Sequence, residues 1–247
     1  MKKVLLLCGA MLALTAAVAS AQGGINLAWS RCYGEQVAVT NRTFACTTNS
    51  GTNLAVASFI PPADVAALNG NELVFDLQSS TATLPAWWAF KNTGTCRLSS
   101  LTVNFTTNAS DVVCVDEFAG AGAGGIGAYN IGYGGNPARA RLTVAIAVPA
   151  SAIAIVTAGT EYFAMNLAIN NLKSTGTGSC AGCLTPVCLV FNSIKLTQPV
   201  GLGDTTIGNP AGGNFVTWQG GAIGGGGCPA ATPTHNTTWG AVKSLYR

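Results

Sequence analysis

Charged residues are scarce: twelve Lys and Arg and nine Asp and Glu make up 9% of 247 residues, for a formal net charge of +3. That scarcity excludes a nucleic-acid partner, because phosphate backbones are met by clustered cations, and the densest cationic group here is only Arg139 with Arg141. Histidine occurs once, as His235 in a Pro/Thr-rich stretch. A Ser–His–Asp hydrolase needs that ring packed beside a nucleophile, and no G-x-S-x-G elbow occurs, so His235 reads as a solvated linker residue. The N-terminal apolar stretch is shorter than the ~20 residues of a membrane-spanning helix and no basic stop-transfer cluster follows it, so no transmembrane anchor is expected. No internal repeat of fixed period is present, which excludes solenoids and propellers. A surface this thin in charge is weakly protected from self-association.

The N-terminal segment, residues 1–21, has the form of a secretory signal peptide. Lys2 and Lys3 precede an apolar stretch, and Ala19-Ser20-Ala21 supplies small residues at a cleavage site before Gln22. Cys8 does not make a lipoprotein signal, since bulky Leu7 stands where a small residue is needed. The expected location is outside the cytoplasm: extracellular, at the cell surface or periplasmic. The short basic leader favours a bacterial source, in which the Asn-x-Ser/Thr sites at Asn41, Asn104, Asn108 and Asn236 carry no meaning.

Of nine cysteines, Cys8 falls in the leader and eight remain: Cys32, Cys46, Cys96, Cys114, Cys180, Cys183, Cys188 and Cys228. An even set in an exported chain reads as disulfides. Local economy suggests Cys32 with Cys46 and Cys96 with Cys114, with one of the last three before Cys228 reaching it. The C-x-x-C-x-x-x-x-C spacing at 180–188 also admits a thiolate metal site or a redox pair. Structural zinc wants four ligands, however, with Cys228 or His235 as the nearest additional donors, and a redox C-x-x-C wants a helix N-terminus that Gly182, Pro186 and the flanking strands do not provide.

The stretch 161–198 organises the rest. Phe163, Met165, Leu167 and Ile169 alternate with more polar or smaller residues, the mark of a strand buried on one side, and 188–198 is a second strand rich in Leu, Val, Ile and Phe. The two read as neighbours whose connection is stapled by cysteines. Further strands are expected at 24–30, 53–60, 72–78, 101–107, 111–118 and 141–148. Residues 63–68 read as a helical turn, 119–135 as a long mobile glycine loop, and 214–218 as a possible edge strand. The fold class is all-β: an antiparallel β-sandwich of jelly-roll or Greek-key type, disulfide-stapled, with a short C-terminal helix. It divides into a sandwich over 22–200 and a Gly/Pro-rich extension over 201–247, whose end (237–247) docks as that helix through Trp239.

Few motifs carry chemistry. Gly122-Ala-Gly-Gly-Ile-Gly127 matches the dinucleotide fingerprint literally but lacks the following helix and the acid about 20 residues on. The nine carboxylates are Glu35, Asp64, Glu72, Asp76, Asp111, Asp116, Glu117, Glu161 and Asp204. Glycoside hydrolysis needs two of them facing at about 5–10 Å. Asp111, Asp116 and Glu117 are the closest set; calcium is the one cofactor they admit, though no EF-hand run exists and solvated strand ends are the plainer reading. Trp87, Trp88, Tyr129 and Tyr133 are the residues from which a ligand platform for sugar rings would be built. Neighbouring Trp87 and Trp88 face opposite ways in a strand, however, so one of them at least belongs to the core. The function expected is a non-catalytic secreted or cell-envelope protein with a structural, surface-assembly role, its partners being itself or other envelope components. The alternatives are a carbohydrate- or surface-ligand-binding module and a secreted carboxylate-dependent hydrolase.

Overall fold

The structure, a computed structural model, describes residues 23–35, 38–107, 113–221 and Cys228. The expected leader, His235 and the terminal helix over 237–247 lie outside the described residues. In chain order the strands are β1 (Gly24–Trp29), β2 (Asn41–Arg42), β3 (Thr52–Ile60), β4 (Val65–Leu68), β5 (Gly70–Ser79), β6 (Leu101–Asn104) and β7 (Val115–Asp116). They continue with β8 (Ala123–Ile131), β9 (Arg139–Ala147), β10 (Ala154–Val156), β11 (Tyr162–Asn170), β12 (Val187–Thr197), β13 (Thr205–Ile207) and β14 (Phe215–Trp218).

They form two antiparallel sheets in a sandwich. The first has the order β1-β3-β11-β6, with β7 added in parallel to the start of β11; the second runs β2-β14-β12-β5-β9-β8, with β13 on β12; β4 and β10 form a separate pair. Alternation builds the core between the sheets. On β5 Leu73, Phe75 and Leu77 are buried, on β9 Leu142, Val144 and Ile146, and on β11 Met165, Leu167 and Ile169, all in one cluster. Phe75 stacks on Phe191 of β12 at 4.6 Å between ring centroids. Each such side chain contributes roughly 1.5–3 kcal/mol by leaving water. Among the described residues no helix is long and apolar enough to cross a membrane.

One flank of the sandwich is sealed by backbone. All six residues of β1 are buried. Its free edge bonds to residues 209–213 (Ile25 N to Asn209 O and Leu27 N to Gly213 O, both 2.8 Å) and to Val39 (Trp29 N to Val39 O, 2.8 Å). Asn26 Oδ1 accepts from Gly212 N at 2.8 Å and Gly213 N at 3.3 Å. Glycine is required there, since a Cβ on Gly212 would lie 2.2 Å from the Tyr33 ring. The chain then passes from Val39 into β2, which covers the edge of β14. The opposite border of the second sheet ends on β8, which among the described residues pairs with β9 alone.

Five expectations are corrected. The strands of 161–198 are not neighbours: β11 lies in the first sheet and β12 in the second, so their connection crosses the sandwich. The glycine stretch 119–135 is not a loop throughout, because β9 offers a full-length partner and β8 forms against it. Residues 63–68 do not form a helical turn; pairing with β10 makes Val65–Leu68 a strand. Within 111–118 only Val115–Asp116 is strand. The sandwich does not stop at 200, since β13 and β14 both hydrogen-bond to β12 and complete the second sheet.

Candidate functional site: the cysteine-stapled end

Trp87, Trp88, Cys46, Cys180 and Cys183 come together at one end of the sandwich. Pro85 opens a single 3₁₀ turn, Ala86–Trp88. In a strand Trp87 and Trp88 would diverge; in the turn both enter the core, at 0% and 1% exposure. Trp87 N donates to Ala181 O at 2.9 Å, and its Nε1 donates to Ser174 Oγ at 3.0 Å. Trp218 of β14 packs 5.0 Å from Trp87 and 5.3 Å from Trp88 by ring centroids, and its Nε1 donates to Cys183 O at 2.7 Å. The 180–186 loop is thus held by the Trp87 backbone N–H and the Trp218 indole as well as by sulfur.

The eight cysteines close four bridges: Cys32–Cys114, Cys46–Cys183, Cys96–Cys180 and Cys188–Cys228. The expected local pairs, Cys32 with Cys46 and Cys96 with Cys114, do not form. Between Cys32 and Cys46 the chain crosses from the edge of the first sheet to the edge of the second, through Val39 and β2. Cys32 is left beside Val56, Phe163 and Cys114 on the outer face of the first sheet. Cys96 and Cys114 flank β6, which pairs with the Asn166–Ile169 part of β11, whereas β7, just after Cys114, pairs with Tyr162 and Phe163. Opposite ends of a nine-residue strand stand about 25 Å apart, well beyond disulfide reach.

Arg97 joins this end together without having been singled out by any sequence signal. It is 1% exposed, with its guanidinium carbon 3.5 Å from the Trp87 ring centroid and 5.3 Å from that of Phe90. Nη1 donates to Trp87 O at 3.0 Å, and Nη2 donates to Asn170 O. Burial lowers its pKa from the ordinary arginine range. The two carbonyls and the ring faces nevertheless hold the cation in a site where, among the described residues, no carboxylate pairs with it. Over this assembly lies a depression of ≈ 520 Å³ lined by Ser80, Thr81, Ser174, Thr185, Leu184 and the Cys46–Cys183 bridge, with no ionisable side chain in its lining.

The four aromatic residues do not make a surface platform. Tyr129 is buried, and its hydroxyl donates to Trp88 O at 2.7 Å; burial raises its pKa above the ordinary tyrosine value. Tyr133, the exposed one of the four, has Arg141 stacked on its ring at 3.7 Å, and its hydroxyl accepts from Arg141 Nη1. Arg141 in turn forks onto Asp76 through two bonds of 2.7 Å, which raise its pKa. The expected stacking surface of Trp87, Trp88, Tyr129 and Tyr133 is therefore absent: three of the rings are core, and the fourth is spent on an arginine.

The carboxylates are dispersed into structural bonds. Glu161 accepts from Ser58 Oγ at 2.6 Å, Gly34 N at 2.9 Å and Asn26 Nδ2 at 3.2 Å. Glu35 accepts from Val113 N at 2.9 Å, and Asp64 from Ala158 N at 2.8 Å. Asp204 pairs with Lys195 at 2.9 Å, which lowers its pKa, while Glu72 lies 3.8 Å from the same lysine. Asp116 caps Phe118 N and Gly120 N, while neighbouring Glu117 is turned into the interior toward Asn71. Asp111 lies outside the described residues. Among the described residues no three His, Cys, Asp or Glu side chains converge as a metal site.

No family model matches the chain, and no curated protein matches it in sequence. Among solved structures it is similar to a cohesin module from a family 33 glycoside hydrolase of Clostridium perfringens ATCC13124, at 7% identity and a TM-score of 0.36, over 79% of this chain and 92% of that one. At that identity and score the likeness says nothing about binding or activity.

Proposed function

We propose that the chain is a non-catalytic, exported protein of the cell envelope or surface, with a structural role fulfilled by assembly with further copies or with other envelope components. The observation that carries this reading is the unequal finishing of the sheet borders. One flank is closed by β1, residues 209–213, Val39 and β2. The other ends on nine residues of β8, AGGIGAYNI, with no charge and no proline. Charge and proline are the devices by which edge strands ordinarily avoid pairing with other chains. Among the described residues the outer edge of β8 receives one side-chain bond, from Asn92 Nδ2 to Tyr129 O at 3.2 Å. The four disulfides and the sparse charge suit service outside the cytoplasm, where a protein is not renewed by chaperones and is cross-linked instead.

The test is sedimentation velocity, with light scattering, on the oxidised mature chain over a wide concentration range. Reversible association that strengthens with concentration is expected. A strictly monomeric species at the highest concentration reached would overturn the assembly reading.

A further inference from the structure

Asn71 lies on β5 in register with Leu73, Phe75 and Leu77, so its amide points between the sheets, and the residue is 1% exposed. Its Nδ2 donates to Glu117 Oε1 at 3.2 Å. The other two oxygens of this pair, Asn71 Oδ1 and Glu117 Oε2, are both buried and, among the described residues, have no hydrogen-bond partner. Two buried acceptor oxygens without donors carry an unreturned desolvation cost, largest while the carboxylate is ionised. One proton satisfies both atoms. With Nδ2 and Oε1 already holding the groups side by side, a hydrogen on Oε2 donates to Oδ1, and the carboxylic acid and the amide become reciprocal partners.

We propose that Glu117 is carried as a neutral carboxylic acid paired reciprocally with Asn71, and that this proton latches the strap of residues 115–122 onto the sandwich. The strap is also held by the Cys32–Cys114 bridge at its start and by the Asp116 caps on Phe118 N and Gly120 N. Val115 and Asp116 pair with Tyr162 and Phe163, Phe118 enters the core, and Gly122 packs beneath Ile146 at the start of β8. Burial pushes the Glu117 carboxyl up to about 8, against the opposing pull of its own backbone N–H and of the Asn71 amide, and neighbouring Asp116 adds to the rise.

The other ionisable groups on the elements around the pair are committed elsewhere. On β5, exposed Glu72 lies 3.8 Å from Lys195 of β12, and Asp76 holds Arg141 of β9. Arg139 of β9 donates to Gln78 at the far end of that strand. Beside β11, Glu161 is held by Ser58 and Gly34, and the Tyr162 hydroxyl accepts from Thr157 N at 2.9 Å.

The sign of the pH dependence follows. The folded state keeps a proton that the unfolded chain releases above the ordinary value of 4.5. The latch therefore contributes fully below about 4.5, and its contribution is lost as pH rises from there through about 8.

Glu117→Gln separates this from a merely structural role, because glutamine offers the same reciprocal pair without a titrating proton. Thermal unfolding between pH 5 and 9 is expected to show the wild-type midpoint falling by several degrees and the E117Q midpoint falling distinctly less. The same fall in both proteins would overturn the proposal. Carboxyl NMR of wild-type protein labelled at glutamate gives a reading that needs no variant: a Glu117 midpoint near 8 is expected, and one near 4.5 would overturn it. Both readouts are made on the monomer and stand whether or not copies assemble.

Discussion

Arg97 is the side chain on which the stapled end depends most. It spans the 3₁₀ turn at Trp87 and the end of β11 at Asn170, placing one planar cation across two carbonyls and two ring faces. Arg97→Ala removes those bonds and leaves a cavity among indoles, and it is expected to lower stability by about 3–5 kcal/mol. Arg97→Lys restores the charge but not the fork, so it is expected to recover less than half of that loss. Denaturant unfolding with the disulfides intact measures both. Nothing local in the sequence distinguishes Arg97 from Arg139 or Arg141, since its burial follows from which elements meet around it. Glu117 is similar: beside Asp116 it reads as one of two surface acids, and only the placement of Asn71 opposite turns it inward.

Elements that alternate cleanly were legible as strands. Residues 53–60, 72–78 and 141–148 fall within β3, β5 and, but for one residue, β9, because a two-residue period can bury one face in only one way. β8 was illegible because glycine is read as a cost to a strand interior, and that cost is overridden where a partner leaves no room for a side chain. A Cβ on Gly124 would lie 2.0 Å from Ala145 O, whereas one on Gly125 meets nothing within 4 Å. Gly124→Ala is therefore expected to destabilise by about 1–3 kcal/mol. Gly125→Ala is expected to be neutral or to stabilise by about 0.5 kcal/mol through the unfolded state. Gly125→Lys is expected to keep the melting temperature and weaken self-association, by placing a charge on the open strand; calorimetry and sedimentation check the pair of effects. The turn at 86–88 was not legible either: two adjacent tryptophans both reach the core here because the chain coils between them.

For the whole molecule, the oxidation of the eight cysteines to disulfides was legible, and their pairing was not, because it depends on which end of β11 each flanking segment reaches. A non-reducing peptide map is expected to give Cys32–Cys114, Cys46–Cys183, Cys96–Cys180 and Cys188–Cys228. Peptides joining Cys32 to Cys46 or Cys96 to Cys114 would contradict the fold. Each bridge is worth about 2–4 kcal/mol, chiefly by restricting the unfolded chain. The four link stretches 40 to 137 residues apart in the chain, so each closes a long loop. The sealed flank has a consequence for stoichiometry. Two copies joined β8 to β8 about a two-fold axis would use the same border of the second sheet in both, so the contact is isologous. Such a contact closes at a dimer and cannot propagate as a fibre, so any extended layer would have to be tiled from these couples through a different face.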